Sequence, residues 1–282
     1  MEIRDLASVG IEVVLDAFQQ AFGDYAVNFD RHQVSDMLVR RGYRPELSFA
    51  FFKDDVIVAF VLNGVGKYAG IHTCYDCGTG TLPEFRGRGL AGRLFAHSLN
   101  PLRHAGVRQY VLEVLCENAP AISVYRKAGF EVTAEYDCFN GLIAGLHIER
   151  PLSLDVDIHP VAPDSVQAMP FCDFAPSWQN DYESICRGAA SLTAVCAYFG
   201  NEPVGYCVFD RVTGDIACIA VRREYRRQGV ATALIRNVLS DAVSTTAKVL
   251  NVAKSCESMH EFLAALNFSN GLSQYEMRLK LD

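Results

Sequence analysis

Thr81-Leu82-Pro83-Glu84-Phe85-Arg86-Gly87-Arg88-Gly89-Leu90-Ala91 returns in altered form as Val221-Arg222-Arg223-Glu224-Tyr225-Arg226-Arg227-Gln228-Gly229-Val230-Ala231. Both stretches carry Glu, an aromatic, then R-x-x-G-x-A. They lie 140 positions apart (86 to 226), about half of the 282-residue chain. The similarity extends outward on both sides. Upstream, Phe52 to Phe60 and Phe199 to Tyr206 each read as apolar run, polar turn, apolar run, which is a hairpin pattern. Downstream, Leu90, Leu94, Phe95, Ser98, Leu99 and Leu102 fall at helical spacing, as do Val230, Leu234, Ile235, Val238 and Leu239. Pro101 is expected to kink or restart the first of these helices. A strand follows at Tyr110–Leu115 and at Lys248–Val252, then a helix at Ala119–Lys127 and at Ser258–Leu266. Phe130 and Phe268 close these helices, and strand-like runs end each copy near Ala134–Phe139 and Gln274–Leu281. The first copy opens with helical patterns at Ile11–Phe22 and near Arg31–Arg41. The chain is therefore read as two tandem domains, 1–150 and 151–282, divided where Pro151 and mixed charges interrupt the pattern between Glu149 and Asp157.

Composition narrows the function. Half the residues are hydrophobic and 21% are charged, which suits two globular units with cores of their own. The formal net charge of −7 argues against nucleic acid as a partner, since that needs a basic face. The more apolar runs, such as Val56–Val65, are far shorter than the ~20 residues that span a bilayer, so no membrane partner is expected. The opening Met1-Glu2-Ile3-Arg4-Asp5 does not resemble a secretory signal, and a cytoplasmic location is expected. Ten cysteines are scattered through both halves, several (Cys196, Cys207, Cys218) in apolar runs, and are read as small buried hydrophobes with free thiols. Cys74-Tyr75-Asp76-Cys77 is a single CxxC without the further ligands zinc requires, so no metal is expected.

A glycine turn between strand and helix leaves main-chain N–H groups pointing outward at a positive helix end, which suits a phosphate or pyrophosphate. Arg86, Arg88 and Arg93 add charge, and Gly89 lets the main chain come close to a ligand. Gly87-Arg88-Gly89-Leu90-Ala91-Gly92 is also literally GxGxxG, with Glu113 further on, which would suggest a dinucleotide-binding oxidoreductase. The second copy breaks that pattern, reading Arg227-Gln228-Gly229-Val230-Ala231-Thr232 in register, and keeps R-x-x-G-x-A instead.

That loop, preceded by Pro83-Glu84-Phe85, resembles the acetyl-CoA loop of the GCN5-related N-acetyltransferase (GNAT) superfamily, and so does the block of Leu112-Glu113-Val114, Asn118, Ala121, Tyr125 and Gly129-Phe130. The resemblance covers most of residues 1–145 and, more loosely, 155–282. It implies an α/β (α+β) fold in which each copy has a central mixed, mostly antiparallel sheet flanked by helices. It further implies direct acetyl transfer from acetyl-CoA to a primary amine of a small molecule or peptide. On it, Arg86, Gly87, Arg88, Gly89, Leu90 and Ala91 bind the cofactor through backbone amides. Gly80, Thr81 and Leu82 hold the pantetheine and polarise the acetyl carbonyl, and Asn118 either contacts the cofactor or caps a helix. Tyr125 is the expected acid beside the sulfur, or else a core aromatic. Glu113 is the expected base, a carboxylate interrupting an apolar strand, with Asp76 and Tyr75 as rivals.

In the second copy Leu263 stands at the Tyr125 position, Cys256 at that of Asn118, Asn251 opposite Glu113 and Asn267 at Gly129. This domain is expected to be non-catalytic while keeping a possible second CoA loop at Arg226, Gly229 and Ala231. The competing reading is a non-catalytic acyl-CoA-binding or regulatory protein. The acceptor is left open by the sequence: antibiotics, polyamines, amino acids and peptide N-termini all remain, with Asp24–Glu46 and Asn63–Thr73 as the segments expected to choose among them. Oligomeric state is not set by the sequence.

Overall fold

Runs of β-branched and aromatic residues alternate with amphipathic helices along the whole chain, and the computed structural model describes residues 1–23, 30–149, 151–169 and 171–281. In chain order the elements are β1 (Glu2–Asp5), α1 (Ile11–Phe22), α2 (Arg31–Arg41), β2 (Phe49–Lys53), β3 (Val56–Tyr68), β4 (Ile71–Thr81), α3 (Leu90–His104), β5 (Gln109–Leu115), α4 (Ala119–Lys127), β6 (Glu131–Leu142), β7 (Asp157–Val161), α5 (Tyr182–Arg187), β8 (Thr193–Phe199), β9 (Glu202–Phe209), β10 (Ile216–Val221), α6 (Val230–Leu239), β11 (Thr246–Ala253), α7 (Glu257–Ala265) and β12 (Ser269–Lys280). The expected hairpins are β2–β3, turned by Asp54 and Asp55 in the left-handed region, and β8–β9, turned at Gly200. Of the segment expected to select the acceptor, residues 24–29 lie outside the described residues.

The chain divides into two compact units: residues 1–134 with 275–282, and residues 135–274. The last strand of each half of the sequence, β6 and β12, contributes residues to both units. In the first unit the sheet order is β1-β2-β3-β4-β5-β12, in which β1 to β4 pair antiparallel and β4 pairs parallel with β5. Met277 and Leu281, from the end of the sequence, are buried in its core with Phe51, Phe95, Tyr110 and Phe130. One sheet face is covered by α1, whose Phe18 and Phe22 pack on Phe60. The other is covered by α3 and α4, where Phe95 meets Tyr110 and Tyr125 edge-on or tilted. Gly78 and Gly80 let α1 lie close on β4: a Cβ at Gly80 would stand 2.4 Å from the Phe60 ring and 2.9 Å from Ala21 Cβ.

The second unit holds a sheet ordered β10-β9-β8-β7 and a set β12-β6-β11, in which the late part of β6 from the first half of the sequence pairs antiparallel with β11. Its core gathers Phe139, Val204, Leu234, Ile235, Leu263 and Phe268. A one-residue slip would turn every side chain of a strand to the wrong face, and Met277 of β12 is fully buried.

The helix does not restart at Pro101: α3 runs continuously from Leu90 to His104. Pro101 sits in the last turn, so its missing N–H costs one ladder bond, and Ala105 N donating to Pro101 O (3.0 Å) closes the helix normally.

Candidate functional site

The first glycine turn is built by its own side chains. Gly87 (φ 75°) and Gly89 (φ 70°) take left-handed conformations, and Gly89 N-caps α3 with no side-chain cap. The first N–H groups of α3 therefore have no internal acceptor from the cap residue. Among the described residues nothing lies within 4 Å of a Cβ placed on Gly87 or Gly89, so these residues leave the turn open on that side. Arg86 does not point its guanidinium at this opening: Nε donates to Thr81 O (3.2 Å) and Nη2 to Ala21 O (2.9 Å). Arg88 Nη2 donates to Glu84 O (2.9 Å), and Arg93 lies over the Phe51 ring. The arginines expected as free charge thus hold the turn's shape, and the anion-binding capacity rests on main-chain amides and the helix end. An open glycine turn with an uncapped helix start fits the diphosphate of CoA.

The second part of the site comes from strand geometry. β4 and β5 pair over Thr73↔Gln109, Cys74↔Tyr110 and Tyr75↔Val111, and then diverge. Asp76 is the first residue beyond the split and Gly80–Thr81 lie at its far end, so that side of β4 is released from the ladder where the sequence places Gly80, Thr81 and Leu82. Inside the split stand two tyrosine–carboxylate pairs. Tyr75 Oη donates to Glu113 Oε2 at 2.6 Å, and Tyr125 Oη reaches Asp76 Oδ2 at 3.4 Å. Tyr75 (2% exposed), Asp76 (8%) and Tyr125 (9%) are all buried, while Glu113 is half-buried. Burial pushes the Asp76 carboxyl up to about 6, against hydrogen bonds from Thr79 Oγ1 (2.8 Å) and Gly78 N (2.9 Å) that pull it down. Burial first, and then the Glu113 charge, raise the Tyr75 hydroxyl well above its ordinary value, so it remains a donor.

Of the site residues read from the sequence, Tyr75 meets Glu113 and Asp76 meets Tyr125, two pairs that start from adjacent residues of β4. Asn118 does not join them: its side chain accepts from Ala121 N (3.2 Å) and N-caps α4. Sequence reasoning missed Thr79 and Arg41. Thr79 fixes Asp76, and Arg41 donates to Cys77 O at 2.7 Å and lowers the Asp76 and Tyr75 titrations by its charge. The signal for Thr79 was its place three residues after an acid in an apolar strand.

In the second unit the turn repeats two of these side-chain bonds. Arg226 Nε donates to Val221 O (2.9 Å) and Gln228 Nε2 to Glu224 O (3.3 Å). Arg227 (φ 63°) and Gly229 (φ 88°) take the conformations of Gly87 and Gly89. A groove of about 290 Å³ opens beside it, lined by Ile219, Arg226, Gly229, Ala231, Met259 and Phe262 among others. Gly229 is backed by the linker: a Cβ there would lie 2.7 Å from Pro151 O, and Ser153 N donates to Gln228 O at 3.0 Å. β10 and β11 touch at the single bridge Asp215↔Lys248 before they part. Where the first unit has Tyr125, Leu263 is fully buried in the core; Cys256 begins α7 without capping it; Asn251 is bound to Ser177 Oγ at 2.9 Å.

A glycine turn without a side-chain cap between a strand and a helix, present twice, accords with a tandem acyltransferase-type fold. The chain belongs to the acetyltransferase (GNAT) family, whose model matches residues 13–130 and 162–268. Over its full length it resembles a tandem GNAT protein of the clavulanic acid biosynthesis pathway (TM-score 0.71, 16% identity, 100% of this chain and 98% of that one). It also resembles an acetyltransferase-like structure from Pyrococcus horikoshii (TM-score 0.70, 17% identity, 99% and 89%). Among curated proteins, 58 residues are 48% identical to mycothiol acetyltransferase of Saccharomonospora viridis, and cover 21% of this chain and 19% of that protein. Over 87 residues the chain is 30% identical to N-alpha-acetyltransferase 30 of Schizosaccharomyces pombe, covering 30% of this chain and 58% of the relative. Among the described residues no helix is long and apolar enough to cross a membrane.

Proposed function

We propose that the first unit transfers an acetyl group from acetyl-CoA directly to a primary amine of a small molecule or peptide. The observation that carries this is the open turn at Gly87 and Gly89 joined by one strand, β4, to a split holding Tyr125, Asp76, Tyr75 and Glu113. Acetyl-CoA would supply an activated thioester. Main-chain amides of Arg86–Ala91 would hold its diphosphate, and the free side of β4 at Gly80–Leu82 its pantetheine arm. Asn118 shapes the start of α4 and thereby sets Tyr125.

Tyr125 is the proton donor in this reading, held in place by the ring contacts with Phe95 and Phe130. Glu113 accepts the amine's proton, and the hydrogen bond from Tyr75 orients its carboxylate. Asp76 holds Tyr125 from the other side. The curated relative named as an N-alpha-acetyltransferase supports an amine acceptor. All ten cysteines being free thiols supports a reducing compartment such as the cytoplasm. The second unit, with Leu263 in place of the tyrosine, takes no part in amine transfer.

The test is turnover of an amine panel with acetyl-CoA, run beside calorimetry on wild type and Gly89→Trp. Turnover by wild type and none by Gly89→Trp, with one binding equivalent lost, supports the reading. Binding at the first unit without any turnover would replace it with an acyl-CoA-binding protein, and no binding at all would end it.

A further inference from the structure

The second unit carries two thiols that amine transfer does not use. Cys172 is exposed and Cys218, on β10, is half-buried; their sulfurs lie 3.3 and 3.8 Å from Tyr206 Oη. Cys218 takes the place that Gly78 has in the first unit (78 to 218), beyond the point where β10 and β11 part. A small cavity of about 40 Å³ is lined by Cys172, Cys218, Asn180 and Asn251. It shares Asp173, Ile219 and Met259 with the groove beside the second glycine turn. Arg226 ties the two together: Nη1 pairs with Asp173 Oδ1 at 2.6 Å and Nη2 donates to Phe171 O at 3.4 Å. The groove beside the second glycine turn therefore shares a wall with a cavity lined by two thiols.

The surroundings favour a nucleophile. The hydrogen bond from Cys218 pulls the Cys172 thiol below its ordinary range; burial opposes this, Tyr206 assists and Asp173 opposes. Burial pushes Tyr206 far up, so its hydroxyl stays protonated. The amine-transfer donor of the first unit is absent, since Leu263 occupies its position.

We propose that the second unit is a self-acylating site, in which Cys172 takes the acyl group of an acyl-CoA held at Arg226–Ala231. Cys172 Sγ attacks the thioester carbonyl carbon. The new S–C bond replaces the C–S bond to CoA, and the departing sulfur keeps the electron pair and takes up the proton that Cys172 released. One thioester becomes another, and nothing is oxidised or reduced. The proposal rests on the reading that these glycine turns hold CoA.

The full chain is incubated with acetyl-CoA and each cysteine peptide is weighed, for wild type, Cys172→Ser, Arg227→Glu and Gly89→Trp. A second readout is the rate at which iodoacetamide alkylates Cys172, before and after acetyl-CoA and again after hydroxylamine. One acetyl group on Cys172 is expected, released by hydroxylamine, absent in Cys172→Ser and unchanged in Gly89→Trp. Arg227 is exposed at the turn, and Arg227→Glu should slow the reaction about tenfold, the size of one lost charge-assisted hydrogen bond. Equal acetylation of Cys116 and Cys186, or none on Cys172, overturns the proposal. Calorimetry on Gly89→Trp separates the two failures. Binding without acylation sinks this inference alone, whereas the absence of binding sinks the CoA reading of the second turn and the inference with it.

Discussion

The two glycine turns share a main chain and differ in what surrounds it. Arg86 and Arg226 each bond the carbonyl five residues back, and Arg88 and Gln228 each bond the carbonyl four back. Arg227 even accepts a left-handed conformation (φ 63°) where the first copy has glycine, at a cost of about 1 kcal/mol. The first turn is open and its β4 leads to two tyrosine–carboxylate pairs. The second is backed by Pro151 and its β10 leads to two thiols and a tyrosine. Turn geometry and reaction chemistry are thus separable: a duplicated cradle persists while the groups at its far end are exchanged.

The largest expected break in this comparison is at Tyr125. Tyr125→Phe should lower turnover by roughly 10²–10⁴-fold with little change in acetyl-CoA affinity, as loss of a proton donor does. Leu263→Tyr should confer no amine turnover, because that site lacks the facing carboxylates. A smaller effect follows from Asp76. Its folded value of about 6 lies above the free value of 3.8, so the folded state binds the proton more tightly. That contribution to stability is complete below 3.8 and is lost as pH rises through about 6. The loss is about 3 kcal/mol, and denaturant titrations of Asp76→Asn across this window should lack it. Turnover should rise with pH through about 6 as Asp76 ionises, and Asp76→Asn should flatten that limb.

The turns themselves give the next effect. Gly89→Ala meets open space and should cost only the left-handed strain, about 1 kcal/mol of stability. Gly229→Ala adds a clash at 2.7 Å with Pro151 O and should cost clearly more. Equal losses in thermal melts would mean that the linker does not back the second turn. The smallest effect is at the caps: Asn118→Ala should cost about 1 kcal/mol, and Cys256→Asn should recover part of that for α7.

The repeated R-x-x-G-x-A, and the alternation of hairpin, helix and strand around it, were legible in the sequence because local spacing determines them. The contribution of β6 and β12 to both units was not. Both strands have the same alternating pattern wherever they pair, and nothing local distinguishes one partner from the other. The site was half legible. Tyr125 and Glu113 stood at telling positions, but their pairing with Asp76 and Tyr75 depends on where β4 and β5 part, a property of two strands distant in sequence. The charge of Arg86 is visible in the sequence, whereas its bonds to Thr81 O and Ala21 O are not. Cys172 and Cys218 read as buried thiols because apolar neighbours hid their common contact with Tyr206.

The most direct test of the division between the units is amine turnover by Gly89→Trp beside Arg227→Glu, each at saturating acetyl-CoA. The account predicts that the first substitution abolishes turnover and the second leaves it at the wild-type rate. Turnover that survives Gly89→Trp and is lost in Arg227→Glu would place the chemistry in the second unit and contradict it.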